Sequence, residues 1–344
     1  MTPGRALSQV ELDESRPSER AVAYAALVCP VCGADVATSA LERFRRFSLY
    51  ECPACSLHFW DPLDMPGLDW YELTYQERDS RDLPLEPGHR YFLAAPPHTS
   101  GRRLLDVGCG VGNFLAVAAR SGYSVTGIEM NRNAARIARQ RLGLDTVFSL
   151  DLDHFAAAHP AAQFDVVTFF EVLEHQSHPR EFLQCVRRLI APSGFVALSV
   201  PNRDRWRKAQ EVVDCPPNHL TRWNAAALKT FLSFNGFEVL SVREEPLGLR
   251  RAVEVLGSAT QTGLAVAVAG EEAPTGADLA AMTPAQAEAT LLRYLSSSRH
   301  RWAGRLVRAK QAALYPAALL LLPLLRHRGH RGLYLYCLAR RSDS

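Results

Sequence analysis

Leu104-Leu105-Asp106-Val107-Gly108-Cys109-Gly110-Val111-Gly112-Asn113-Phe114-Leu115 is the stretch whose reading decides the fold. Leu104 to Val107 are apolar except for Asp106, as in a strand covered on both faces. Gly108, Gly110 and Gly112 then remove side chains from three alternate positions, which suits a sharp turn whose backbone touches a ligand. Phe114 to Ala119 resume an apolar, helix-forming pattern. The free N–H groups at such a helix start face whatever sits over the turn.

A glycine turn alone is a weak signal, because dinucleotide and phosphate sites share it. The residues downstream narrow the reading. Ser124 to Glu129 reads as a second strand ending in an acid, about twenty residues beyond the turn, where a dinucleotide fold grips two ribose hydroxyls. The glycine pattern is G-x-G-x-G rather than G-x-G-x-x-G, and Asp106 precedes it. This combination resembles the class I S-adenosylmethionine (SAM) methyltransferases, whose ribose-binding acid falls on Glu129.

Outward from that stretch, strands are expected at 103–107, 124–128, 146–148, 164–170, 194–200 and 237–243. Helices are expected near 113–121, 131–142, 152–158, 179–190 and 224–235, the last capped by Thr221 or Asn224. Such alternation gives an α/β fold with a mostly parallel sheet wrapped by helices. Glu171-Val172-Leu173-Glu174-His175, Leu189 to Gly194, and Ser199-Val200-Pro201-Asn202 are similar to the ubiquinone-type O-methyltransferase branch. The resemblance covers about residues 100 to 243 and implies a Rossmann-like, seven-stranded sheet with helices on both faces. Its final antiparallel strand falls on Leu333 to Ala339.

The same resemblance implies that SAM is held by Asp106, Gly108, Cys109, Gly110, Gly112, Asn113, Glu129, Met130, Asp151, Leu152, Glu171 and Val172. Asp151 and the Leu152 N–H would take the adenine, although Asp151 also reads as a surface acid beside a turn. Ligands of open α/β sheets bind outside the carboxyl ends of the strands, where the glycine turn, Glu129, Asp151, Glu171 and His175 all fall. In the resembling enzymes a histidine before the helix at 224 often faces the acceptor, which makes His219 a candidate base, against a plainer part in hydrogen-bonding its loop, with His175 the second candidate. Glu171, Glu174 and His175 also offer donors for a divalent cation that orients an acceptor, against a plainer part in shaping the loop. Base-methylating enzymes carry an Asn/Asp-Pro-Pro-aromatic motif where this chain has Glu171 to Glu174, which disfavours that chemistry.

Ahead of this core stand Cys29-Pro30-Val31-Cys32 and Cys52-Pro53-Ala54-Cys55, with 19 residues between the pairs. Two C-x-x-C turns at this interval match a zinc ribbon, with Phe44 to Glu51 as its hairpin. Cys29, Cys32, Cys52 and Cys55 would close a tetrahedral Zn²⁺ site with no open position, so its role is structural. A module this small needs such a staple.

The domain expectation follows in order. Residues 1–22 are a disordered leader, 23–62 the ribbon-like module and 63–100 a connecting or lid segment that includes Tyr71 and Tyr75. Residues 101–243 are the SAM-binding core, 244–331 a helical insertion with a loop near Gly270 to Ala280, and 332–344 the last strand and tail. Ala312 to Leu325 is very apolar but shorter than a bilayer span, so it is expected as a buried helix or a partner surface. Basic residues follow it, which also suits peripheral membrane contact through 312–325.

Length suggests about two domains, and 47% apolar residues suffice for a core. A net charge of +3 is too mild for the strongly basic stripe of a nucleic-acid binder. Met1 to Arg20 lack an apolar h-region, and paired C-x-x-C turns argue against a disulfide scaffold, so a cytoplasmic setting is expected. The reading is a methyltransferase acting on an oxygen or carbon of a small-molecule acceptor. Its rivals are an RNA methyltransferase that binds RNA through the ribbon, and a non-catalytic partner that keeps the fold.

Overall fold

A computed structural model describes residues 27–67, 70, 84–143, 146–206, 214–258 and 298–342, the side chains of 142, 258 and 298–311 excepted. The expected leader, Tyr71, Tyr75 and the Gly270 to Ala280 loop lie outside these residues.

The first strands are β1 (Glu42–Phe44), β2 (Phe47–Glu51) and β3 (His58–Asp61). Helix α1 (Pro87–Ala94) follows, then β4 (Arg103–Val107), α2 (Asn113–Arg120), β5 (Ser124–Ile128), α3 (Arg132–Leu142), β6 (Val147–Phe148) and α4 (Leu152–Ala158). Next come β7 (Phe164–Phe170), a 3₁₀ turn (Leu173–His175), α5 (Pro179–Leu189), β8 (Ile190–Pro201), β9 (Thr221–Arg222) and α6 (Ala225–Phe234). The last described elements are β10 (Phe237–Pro246), α7 (Leu249–Ser258), α8 (Ser298–His327) and β11 (Arg331–Arg341).

Seven strands form one sheet in the order β10-β11-β8-β7-β4-β5-β6. The pairs from β8 through β6 are parallel, while β11 runs antiparallel to both β8 and β10. This is the Rossmann-like, seven-stranded α/β sheet expected from the sequence, with its reversed final strand. Alternation along each strand sends side chains to opposite faces. Leu105, Val107, Val167 and Phe169 enter one buried cluster, and Leu104, Val166 and Phe170 enter another. Both faces are therefore covered, which is why β4 and β7 read as continuous apolar runs.

Local signals set the helix ends. The Asn131 side chain caps α3 by accepting from the Asn133 and Ala134 N–H groups, at 2.9 and 3.1 Å. Gly143 closes the same helix with φ +61°. At α6 the cap is Asn224, which accepts from the Ala227 N–H at 2.9 Å; Thr221 instead accepts from the Trp223 indole. Pro179 opens α5, where its missing N–H costs nothing.

Three features differ from expectation. Helix α1 lies in a segment read as a connector, because its eight residues hold too few apolar positions to show a period. Strand β8 begins at Ile190, so Pro192, Ser193 and Gly194 are an irregularity within the strand rather than a turn before it. Ser193 sits there at φ +56°, and the pairing with β7 shifts register between Phe164 and Val166. Helix α8 is not a buried helix: in its apolar run only Ala318 and Leu322 are buried, against Leu247, Ala252 and Val253.

The cysteine-bearing module does not stand apart. Its sheet has the order β1-β2-β3-β9, and β9 belongs to the chain between β8 and α6. His58 pairs with Arg222 and Phe59 with Thr221. The Trp60 N–H donates to the Leu220 carbonyl at 2.9 Å, and the Leu220 N–H donates to the Glu174 carbonyl at 2.8 Å.

Candidate active site

The glycine turn sits at the carboxyl end of β4. Gly108 and Gly110 have φ of +75° and +53°, the left-handed region that side chains avoid. A Cβ on Gly108 would lie 2.7 Å from the Val172 side chain, so that position is closed by packing. A Cβ on Gly110 would meet nothing within 4 Å, so its backbone is open to a ligand.

Glu129, at the end of β5, reaches across to this turn. One carboxylate oxygen accepts from the Gly110 N–H at 2.9 Å and the other from the Asn131 N–H at 2.8 Å. Both oxygens of Glu129 are thus tied to the backbone that borders the cavity, which fixes the carboxylate's orientation. Beside it Asp106 is buried and accepts from the Thr168 hydroxyl at 2.6 Å. Burial pushes Asp106 up to about 7, against the Thr168 hydrogen bond and with help from the Glu129 charge. A cation brought into this place would restore its ionised form.

These groups line one cavity of about 970 Å³. Asp106, Gly108, Cys109, Gly110, Asn113, Glu129, Met130, Asp151, Leu152, Glu171 and Val172 all border it, as do His175 and His219; Gly112 does not. Gly112 serves the turn, at φ +78° just before α2. Asp151 caps α4, accepting from the His154 N–H at 2.8 Å, and also meets the His154 ring. Its carboxylate is therefore engaged locally while it borders the cavity. Glu171 holds a left-handed backbone at φ +56° and accepts from the Ser199 hydroxyl at 2.7 Å. A non-glycine residue kept in that region carries strain that the surroundings must hold.

The loop before β9 adds Asp214, Asn218 and His219 to the lining of the same cavity. His219 Nδ1 lies 3.4 Å from Asp214, and Asp214 in turn is bound by Arg205. Burial drives Asp214 up, but its contacts with His219 and Arg205 outweigh burial and hold it well below the usual carboxylate range. Burial lowers His219 below its ordinary value, opposed by Asp214. The ring is then neutral at pH 7, with Nδ1–H toward Asp214 and Nε2 as the acceptor. His175 packs edge-on against it, ring centres 4.9 Å apart, and donates from Nδ1 to the Asn218 carbonyl.

Glu174 lies beside both rings, one oxygen 3.9 Å from each Nε2, and is 1% exposed. Among the described residues neither of its oxygens has a hydrogen-bond partner. Burial, then the Glu171 charge, raises its carboxyl well above the usual range. One donor atom each from Glu174, His175 and His219 falls within 4.8 Å of the others, a spacing one divalent cation could bridge.

Sequence reasoning missed several lining groups. His89 of α1 is held between Phe114, stacked at 5.0 Å, and the edge of Phe170 at 4.7 Å. Burial and then Arg90 lower it to about 4, and its Nδ1 accepts from the Glu86 N–H. Arg205, Asp214 and Arg251 also border the cavity. Asp214, five residues before His219 and next to a cysteine and two prolines, was the one local hint.

The four cysteines form a second cluster. Cys29 and Cys55 sulfurs lie 3.6 Å apart, Cys32 and Cys52 sulfurs 3.5 Å, and all four fall within 4.8 Å. A tetrahedral zinc with Zn–S bonds of about 2.3 Å needs sulfurs about 3.8 Å apart, so the donor set fits that ion.

Residues 75–242 match the model of a family described as a methyltransferase domain. The ubiquinone biosynthesis O-methyltransferase of Thiobacillus denitrificans is 38% identical over 109 residues, covering 30% of this chain and 47% of that protein. The mitochondrial one of Schizosaccharomyces pombe is 37% identical over 108 residues, 30% of this chain and 39% of that protein. The Klebsiella pneumoniae protein is 38% identical over 141 residues, 39% of this chain and 57% of that protein. The chain thus spans about half the length of the curated relatives it matches. Among solved structures, a SAM dependent methyltransferase from Archaeoglobus fulgidus is similar over 79% of this chain and all of that one, at 18% identity and a TM-score of 0.45.

Proposed function

We propose, from the premise that residues 75–242 of this chain are a class I SAM-dependent methyltransferase domain, that the protein moves a methyl group from SAM to a hydroxyl oxygen of a small-molecule acceptor. The observation that carries this is the single cavity that joins the glycine turn and Glu129 to the Asp214–His219 pair.

SAM bound there would supply an already activated methyl group on a sulfonium. The residues then have to align, exclude water and take a proton. Glu129 would accept from the ribose hydroxyls, and the open backbone at Gly110 gives the ligand room. Asp106 would ionise beside the positive charge of the donor. In the same cavity, His219 Nε2 would take the acceptor's hydroxyl proton. Asp214 keeps Nδ1–H in place and stabilises the imidazolium that forms, and Arg205 fixes Asp214. His175 walls the ring from the side.

Relatives at this level of similarity carry the name ubiquinone biosynthesis O-methyltransferase, which supports oxygen as the target. The four cysteines would hold a structural zinc. A second reading rests on Glu174: a buried carboxyl without a hydrogen-bond partner suits a cation shared with the two histidines, which would orient the acceptor. Turnover that requires added Mg²⁺ or Mn²⁺ after dialysis, and that needs far more of the cation or is no longer stimulated by it in Glu174→Gln, would favour this second reading.

Calorimetric titration with SAM tests the main proposal. Glu129→Ala should weaken binding by roughly 1.5–3 kcal/mol, the range for hydrogen bonds to a charged group. Gly110→Val should abolish it, because the added side chain enters the open space above the turn. Unchanged affinity in both variants would be incompatible with SAM in this cavity.

A further inference from the structure

Helix α8 presents an apolar surface that the described protein does not cover. From 312 to 324 the exposed residues are Ala, Tyr, Pro and Leu, with no charged or polar amide side chain among them. Leu320 is 81% exposed, Leu319 60% and Leu324 47%. Single exposed leucines are ordinary, but a continuous run of this kind marks an interaction site.

The charge around the run says what covers it. Helix α8 contains six Lys or Arg and no Asp or Glu. Arg299, Arg301, Arg305, Arg308 and Lys310 precede the apolar run, and Arg326 and then Arg328 follow it. The whole chain carries only +3, so cation is concentrated here. An apolar exposed run with cations before and after it in the sequence matches a layer with anions at its surface and hydrocarbon just beneath.

Depth is limited by the helix itself. No described helix is long and apolar enough to cross a membrane. Pro316 and Pro323 lie inside α8, seven residues apart and both exposed, so they share the outer face. Neither offers an N–H, so the carbonyls of Ala312 and Leu319 lack their usual helical donor. Such carbonyls are tolerated at a wet interface and are costly in hydrocarbon. The inner face is fixed: Ala318 and Leu322 pack on α7, and Arg326 Nε donates to the Leu247 carbonyl at 2.8 Å.

We propose that the outer face of α8, centred on Leu319, Leu320 and Leu324, docks the protein in the plane of an anionic lipid surface. This goes beyond the methyltransferase reading and does not depend on it.

Sedimentation of the full chain with vesicles tests it, using phosphatidylcholine alone and phosphatidylcholine mixed with phosphatidylglycerol. The protein should pellet with the anionic vesicles, release as salt rises toward about 1 M, where screening is nearly complete, and stay in solution with the neutral ones. Leu320→Asp should weaken the partition about ten-fold or more, the scale of one buried leucine. Arg328→Gln should weaken it less, and both variants should bind SAM like the parent. Equal pelleting by Leu320→Asp, equal pelleting with both vesicles, or none with either overturns the proposal. So does a parent dimer that Leu320→Asp turns into a monomer without any vesicle binding, since a second copy would then be the occupant.

Discussion

His219 shows how a common residue acquires a special setting. Its Nδ1 faces a carboxylate that, against burial, His219 itself and then Arg205 hold well below the usual range, and its ring is almost wholly buried. Burial holds its pKa below the ordinary value, so the neutral, proton-accepting form prevails at pH 7. Turnover should therefore be flat near neutrality and fall only as pH drops through a value below roughly 6.5. His219→Ala should lose about a hundred- to ten-thousand-fold in rate while binding SAM normally. Near-parental turnover in that variant would exclude His219 as the base, and lost SAM binding would make it a structural residue. Residues tied to a local spacing were legible from sequence: Asp106 and Glu129 stand at fixed distances from the glycine turn. Arg205 and His89 were not, because only tertiary packing brings their segments to the cavity.

At the scale of elements, the strands of the large sheet could be read because both of their faces are buried. Phe164 to Phe170 is apolar or neutralised at every position, and the structure buries all seven. Helix α1 could not be read, since its contribution is two aromatic rings and a histidine rather than a periodic face. The cysteine module lies between these cases: its two pairs were plain, but nothing in them announced that β3 would find its partner in β9. The module should hold about one zinc per chain, by the one-site arrangement of four thiolates. Cys52→Ser should lose that metal, measured by elemental analysis, and full retention would refute the site. Because β9 leaves the loop that carries His219, the same variant should also lower turnover while leaving SAM affinity as it was.

Across the whole molecule, the paired sheets bind the two halves of the site to different parts of the chain. The glycine turn and Glu129 belong to the large sheet alone, whereas the loop bearing Asp214 and His219 is anchored at β9 by the small one. Arg222 reinforces that anchor, with its guanidinium 5.1 Å from the Trp60 ring centre and 2.7 Å from Glu42, and Arg203 reaches the Ser56 carbonyl.

The sharing of β9 sets a limit on modularity. The hairpin of residues 42–61 looks like an accessory that evolution or an engineer could trade for another, yet its outermost strand edge is finished by two residues from the transferase side. Grafting the transferase alone into a new chain would leave Thr221 and Arg222 without a strand to pair with. It would also expose a bare backbone edge, open to pairing with any other chain. The inheritable unit is the pair: a glycine turn that travels with the large sheet alone, and a loop bearing Asp214 and His219 that travels only with its cysteines.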